Sequence, residues 1–336
     1  MAFPLVEPGA FIIMALLVLA NLTNVIAEFA GVATALELFN VSKYVSVPIA
    51  AVAVWFLAVK GNYENVEKVF LFACVIYVTY VISGFLVKPD WKEAMFSSVR
   101  PKLILDSEYI TMLIAMVGTT IAPWMQFYLQ AAVVEKGITI KEYAESRLEV
   151  IVGCIMTSVI AFFIIVACAG AYRGHPTDIV DAGQAAQALK PFGQYTFILF
   201  SAGLLNASVF AACILPLSTA YSVCEGLGFE SGVNKRWNEA PIFYWLYTLL
   251  IAGGAGIVIW PKFPLVKMIL LSQVLNGMLL PFILIFMLIL INKKHLMREW
   301  KNPAVYNAVA WLAVVIVIGM TLALTGISVR EALEKK

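Results

Sequence analysis

An all-α integral membrane protein is the fold this sequence predicts, and two observations predict it. Apolar residues make up 62% of the 336-residue chain and charged residues only 13%, against about 45–50% and about 25% in ordinary soluble domains. A single soluble core could not bury that surplus, so lipid must solvate it. The second observation is the recurrence of apolar runs near the roughly 20 residues that a helix needs to cross a bilayer.

Nine such runs follow one another: 11–39, 45–59, 66–87, 109–134, 150–172, 195–223, 241–259, 264–291 and 304–327. The second is short and reaches a full crossing only by extending into its flanks. The longer connections are 88–108, 135–149, 173–194, 224–240 and 292–303. KGITIKEYAESRLE (136–149) and DIVDAGQAAQALK (178–190) are polar enough to form surface helices. No stretch has the composition of a separate soluble domain, so residues 1–336 read as one multi-pass domain in the cell membrane.

Charge adds little. A net charge of +2 gives no argument for nucleic acid or for a polybasic membrane patch. With a cytoplasmic amino terminus, eleven of the 23 basic residues fall on cytoplasmic loops and twelve outside, so the positive-inside rule sets no direction. Tyr44, Trp91, Trp245, Trp260 and Trp311 lie near span ends, as interfacial aromatics do. The five cysteines lie in or beside apolar runs without metal-type spacing, and read as small core residues. The first ten residues hold no Lys or Arg, which argues against a secretory leader with a basic n-region.

Polar groups inside the spans carry the functional information, because they are costly there. In the first span Asn21, Asn24 and Glu28 fall within about 60° of one another at 100° per residue, a narrow polar stripe on an apolar helix. Such a stripe can simply glue helices together. Glu28, the one acid placed deep in the hydrocarbon, favours a water or ion path instead, since a buried carboxylate needs a cation or a proton. Glu37 lies near that span's end.

The fourth span carries GTTIAPWMQFYLQ (118–130). Pro123 has no N–H, and its ring collides with the carbonyl four residues back, that of Thr119. A break here frees the carbonyl of Thr119, and that of Thr120, as hard oxygen ligands with two hydroxyls beside them. Thr119, Pro123, Gln126 and Gln130 are expected on one face. Exposed backbone at membrane depth is tolerated only where protein or a water-filled cavity receives it. Pro216 and Pro281 are expected to be ordinary kinks. Ser272, Gln273 and Asn276 form a third polar cluster in the eighth span, with Asn206 and Ser208 similarly placed in the sixth; packing is the ordinary role of such groups. His175 and His295 lie outside the spans, no Arg or Lys falls at mid-membrane, and no enzyme motif stands out, so no catalytic residue or bound cofactor is expected.

Three segments resemble a known family. ANLTNVIAEFAGVATALELF (20–39) is similar to the third helix of the Nramp divalent-metal transporters, MLIAMVGTTIAPWMQFYLQ (112–130) to their sixth and LSQVLNGMLLPF (271–282) to their tenth. The resemblance runs from about residue 10 to 327, and is nearest to the branch called Nramp-related magnesium transporters. It implies an inverted-repeat, five-plus-five fold, with 10–108 as the remainder of the first repeat, 109–291 as the second and 304–327 as an extra helix. The family's Asp-Pro-Gly motif on a broken first helix has no counterpart, so the resemblance implies a chain incomplete at its amino end, with a helix pair missing or separately encoded.

In the family the sixth-helix motif ends Met-Pro-His; the aligned residues here are Ala122, Pro123 and Trp124. A thioether favours soft and borderline metals, so its loss leaves oxygen ligands and suits a hydrated hard ion. The acid that classical members carry three positions before the helix-three Glu aligns with Val25, and the ninth helix lacks the family's arginines. The resemblance therefore implies Mg²⁺, and Mn²⁺ as well, moving without proton coupling past Thr119, Thr120, Ala122, Trp124, Gln273, Asn24 and Glu28. A sodium-coupled symporter of organic solutes with the same architecture, or a non-transporting truncated paralogue, stands as the alternative.

Overall fold

The computed structural model describes residues 8–60, 68, 72–100, 106–171, 193–261 and 265–334. Among the described residues each of the nine apolar runs is helical, the fourth as two helices. In chain order these are α1 (Pro8–Glu37), α2 (Lys43–Lys60), α3 (Phe72–Leu86, loosened at Tyr77), α4 (Trp91–Val99), α5 (Ser107–Thr120) and α6 (Pro123–Glu135). They continue with α7 (Tyr143–Ala171), α8 (Gln194–Leu227), α9 (Pro241–Ile259), α10 (Leu265–Ile291), α11 (Lys294–Met297) and α12 (Ala304–Glu334).

Among the described residues seven helical spans, α5 with α6 counting as one, are long and apolar enough to cross a membrane. An eighth results if α3 and α4, which meet at 113°, form one bent span. The remaining run, α2, is apolar over Lys43–Leu57. At 1.5 Å per residue, the 30-residue α1 is about 45 Å long, more than the hydrocarbon thickness of about 30 Å.

The ends of these helices follow from local chemistry. Asn40 takes a left-handed backbone (φ 62°) after α1, and the Val41 N–H closes back on the Leu36 carbonyl at 3.0 Å. Gly228 does the same after α8, with the Phe229 N–H on the Cys224 carbonyl at 2.7 Å. Both are Schellman-type stops. Asp90 caps α4 and Asp106 caps α5, each carboxylate accepting from first-turn N–H groups.

Two expectations need correction. The surface helix expected over 136–149 is not separate. Thr139 and Glu142 form a capping box that starts a single 3₁₀ turn, Ile140–Glu142, and this runs directly into α7. Once capped, the amphiphilic stretch has no reason to stop before the apolar one. The connection 88–108, given only as a link between spans, holds the capped helix α4. The surface helix expected at 178–190 lies outside the described residues.

The helices form two compact units. The first is built within residues 1–101 and 128–268 and centres on α1, which packs along α8, α9 and α2. Small residues set the approach: a Cβ on Gly31 would lie 2.2 Å from the Ser208 Oγ, and one on Gly254 2.6 Å from a Val25 methyl. Leu17, Val25 and Phe29 are fully buried there. Tyr80, Val87, Ala167, Phe197 and Phe200 make a second core where α3 meets α7 and α8. The second unit, within 102–127 and 269–336, contains α5, most of α10, and α12 packed on α5. Asn307 ties α12 to Asn292, at 2.7 and 2.9 Å.

Candidate functional site

The helix break falls where Pro123 requires it. The last bond of α5 runs from the Ile121 N–H to the Val117 carbonyl (2.9 Å), and the first of α6 from the Met125 N–H to the Ala122 carbonyl (3.1 Å). Between them Ile121 leaves helical geometry (φ −125°, ψ 68°). Among the described residues no backbone N–H reaches the carbonyls of Thr119 or Thr120. Two peptide oxygens are thus left as acceptors at one point of a span.

The side chains around the break divide. Thr119 and Thr120 are exposed in the second unit, but the Thr120 hydroxyl donates back to the Met116 carbonyl at 2.7 Å. Ala122 and Pro123 are buried, and Trp124 is half-buried. The single face expected for Thr119, Pro123, Gln126 and Gln130 does not survive. Residues 121 and 122 are non-helical and reset the helical phase, leaving Pro123 buried while Thr119 and Gln130 are exposed.

Gln273 belongs to the same unit and is held close to the break. A Cβ on Gly118 would lie 2.1 Å from the Gln273 carbonyl oxygen and 2.4 Å from the Gly277 nitrogen. One on Gly277 would lie 2.4 Å from the Ile114 carbonyl. α5 and α10 therefore meet backbone to backbone, which only glycine permits. The Gln273 amide donates to the Ser272 hydroxyl (3.1 Å), and the Asn276 amide donates to the Gln273 oxygen (3.4 Å). Ser272 and Asn276 are buried. The glycine pair is the feature that sequence reasoning missed, because neither glycine shows in its own span which helix it will meet.

The first unit carries the α1 stripe. The Asn21 amide donates to the Thr219 hydroxyl on α8 at 2.8 Å, and that hydroxyl donates to the Leu215 carbonyl. Asn21 is therefore the packing member of the stripe. Asn24 is buried and Glu28 half-buried. Glu28 accepts no hydrogen bond from any described residue, and lies within electrostatic reach of Tyr77. α3 is loosened there: the Tyr77 N–H turns to the Cys74 carbonyl (3.2 Å), and the Asn206 amide takes the Ala73 carbonyl (3.0 Å). Asn206 and Ser208 are thus packing groups, Ser208 filling the space beside Gly31.

Thr119, Thr120, Ala122, Trp124 and Gln273 accordingly share one unit, and Asn24 and Glu28 belong to the other. Among the described residues no three His, Cys, Asp or Glu side chains converge as a metal cluster. What the second unit offers a cation is peptide and amide oxygen.

Nearly the whole chain, the broken span, the Ser272–Gln273–Asn276 segment and the α1 stripe included, falls within the match to one family profile. The profile described as natural resistance-associated macrophage protein-like covers residues 5–326. The chain belongs to this family. Among its Nramp relatives are two curated bacterial proteins described as divalent metal cation transporters. MntH of Granulibacter bethesdensis is 23% identical over 319 residues, 91% of this chain and 69% of the relative. MntH 1 of Pseudomonas aeruginosa is 26% identical over 87% of this chain and 70% of the relative. Among solved structures, the Eremococcus coleocola manganese transporter in complex with an aromatic bis-isothiourea compound superposes with a TM-score of 0.65 at 20% identity, over 95% of this chain and 71% of that one. The Nramp chain is thus a multi-pass, all-helical membrane protein, as its composition and spans predict, with the inverted-repeat fold that the resemblance implies; its family is one of transporters, not enzymes.

Proposed function

We propose that this protein moves a divalent metal cation across the membrane, and that the cation is Mg²⁺, with Mn²⁺ also accepted, crossing as a largely hydrated ion without proton coupling. Divalent-cation transport rests on the family and on what its curated relatives are described as carrying. The hard-ion reading rests on one observation: the span breaks at 121–122 and frees two carbonyls, while the neighbouring side chain is the methyl of Ala122. Oxygen donors without sulfur suit a hard ion, and Mg²⁺ dehydrates reluctantly, keeping several waters.

In this reading Thr119 gives a direct or water-bridged carbonyl contact, Thr120 a second carbonyl, and Gln273 an amide wall. Glu28 and Asn24 supply charge and hydrogen bonding through water, and Trp124 bounds the path. Calorimetric titration of the protein with Mg²⁺, against a panel of amino acids, separates this reading from an organic-solute symporter. Saturable Mg²⁺ uptake into liposomes then tests transport itself. Binding of an amino acid with no heat from Mg²⁺ would overturn the proposal.

A further inference from the structure

α4 is amphipathic, and its apolar side is turned away from the rest of its unit. At 100° per residue Trp91, Met95, Val99, Lys92 and Phe96 fall within an arc of about 140°. Glu93, Ser97, Ala94 and Ser98 occupy the other side, and these four line the cleft toward α7. Met95, Phe96 and Val99 are 60%, 56% and 79% exposed, and no residue of α4 is buried. The helix is nevertheless fixed at its start. Asp90 accepts the Lys92 and Glu93 N–H groups at 3.0 and 3.1 Å, and the Trp91 ring lies 5.1 Å from Phe85 and 6.1 Å from Phe163. α4 is thus held at one end and presents an apolar strip that no described residue covers.

What covers the strip follows from where α3 leads. The run 66–87 is 22 residues long, enough to cross a bilayer without α4. α4 leaves α3 at 113°. Nine residues make a helix of about 13 Å, which at that angle falls back by only about 5 Å along the α3 direction. A helix set this way at the end of a span lies close to the membrane plane, where acyl chains give way to headgroups. Its side chains fit that depth. Lys92 stands within the apolar arc and forms no ion pair with a described residue. The Arg100 guanidinium rests over the Phe96 ring, 4.4 Å from its centroid. Cationic side chains whose stems follow apolar surface reach lipid phosphates from a helix lying in the acyl boundary. The one acid within the helix, Glu93, is on the cleft side, so the outward face complements phosphate. Trp91 is the aromatic type enriched in this layer. Three large apolar side chains exposed on nine residues are costly in water, and a lysine among them is costly in hydrocarbon; the interface satisfies both.

We infer that α4 is an in-plane anchor at the membrane interface, with Trp91, Met95, Phe96 and Val99 in the acyl-chain boundary of the bilayer and Lys92 and Arg100 on lipid phosphates. The inference needs only that the chain crosses the membrane at α3, and it is independent of the ion carried. The test is electron paramagnetic resonance of the full chain in phosphatidylcholine vesicles, its five cysteines replaced by serine. Spin labels are introduced singly through Glu93→Cys, Met95→Cys, Ser97→Cys and Val99→Cys. Oxygen concentrates in hydrocarbon and a nickel chelate in water, so their relaxing effects report depth. The ratio of oxygen to nickel accessibility should be higher by roughly threefold or more at 95 and 99 than at 93 and 97. A high ratio at all four positions would make α4 half of a bent span, and a low ratio at all four would place it in water. Low accessibility to both reagents at 95 and 99 would mean that protein covers the strip. Each of these three results overturns the inference. Should the cysteine replacements spoil folding, the wild-type chain decides. A lipid-soluble carbene probe photolysed in the same vesicles should attach to Met95, Phe96 or Val99 in preference to Ser97 and Ser98; adducts absent from α4, or equal on its two sides, would refute the anchor.

Discussion

The backbone contact between α5 and α10 makes Gly118→Ala the most direct test of how the break is supported. A methyl there would sit 2.1 Å from the Gln273 carbonyl oxygen. Since a Cβ essentially never approaches closer than 3.0 Å, that oxygen must retreat by about 0.9 Å. The obstacle is helix backbone on both sides, with Gly277 as the second contact, so no side chain can rotate out of the way. Overpacking of this kind costs typically 1–3 kcal/mol. Ala gains roughly 0.5–1 kcal/mol over Gly in a helix, which leaves a net loss of about 1–2 kcal/mol.

Gly256, in α9, is the control, because a Cβ there meets nothing within 4 Å. Gly256→Ala keeps the propensity gain and escapes the clash. The assay is heat-induced loss of the monodisperse peak on size exclusion, at one fixed heating time, since unfolding of such proteins is a rate as much as an equilibrium. Gly118→Ala should lower the apparent midpoint by about 2–6 °C on the usual scaling, and Gly256→Ala should leave it level or raise it. Equal midpoints for Gly118→Ala and wild type would show that α5 and α10 do not meet through their backbones, and the placement of Gln273 beside the break would fail with it.

The other predictions concern the cation path. Glu28→Gln should leave folding largely intact and weaken Mg²⁺ flux about tenfold or more, since contacts to a charged group are worth roughly 1.5–3 kcal/mol; wild-type flux in a folded, reconstituted mutant removes Glu28 from the path. Ala122→Met combined with Trp124→His should raise Cd²⁺ affinity relative to Mg²⁺, because a soft ligand gains most with the softest ion. Ala122 is only 3% exposed, so the thioether must be accommodated by its neighbours; unchanged Cd²⁺ heats by calorimetry in the folded variant would place Ala122 away from the ion. Cation uptake into liposomes should not acidify the lumen, and a pH-sensitive dye reporting metal-dependent proton entry would contradict uncoupled transport and point to Glu28.

The fold was legible because hydropathy at span length is a one-dimensional signal, and among the described residues each apolar run is helical. Boundaries were less so. α7 begins seven residues before its apolar run because Thr139 and Glu142 cap the chain there, and capping outweighs a local change in polarity. The break at Pro123 was legible because it needs only the missing N–H and the ring clash. The separation of Pro123 from Thr119 was not, because 100° spacing applies only while the helix is continuous. The Gly118–Gly277 contact was not legible either. It depends on which helices pair, and an apolar span shows little of its partner in its own sequence.

Proline alone does not account for the break. Pro48, Pro216 and Pro281 each lie inside a continuous helix, in α2, α8 and α10. All three remove the same donor that Pro123 removes, and the helix around each absorbs the loss. At 121–122 two residues leave helical geometry altogether and two carbonyls lose their backbone partners. Thr119 and Thr120 are exposed, but a peptide acceptor without a partner is costly wherever hydrocarbon rather than water or protein meets it. A sequence that accommodates three prolines without interruption had the means to accommodate a fourth. It instead places the break one turn from the backbone approach of α5 to α10, where Gly118 meets the Gln273 backbone, and beside the Ser272–Gln273–Asn276 network. That neighbourhood ties one end of the break to α10, which is what the proposed cation path requires of oxygens that are to act as ligands.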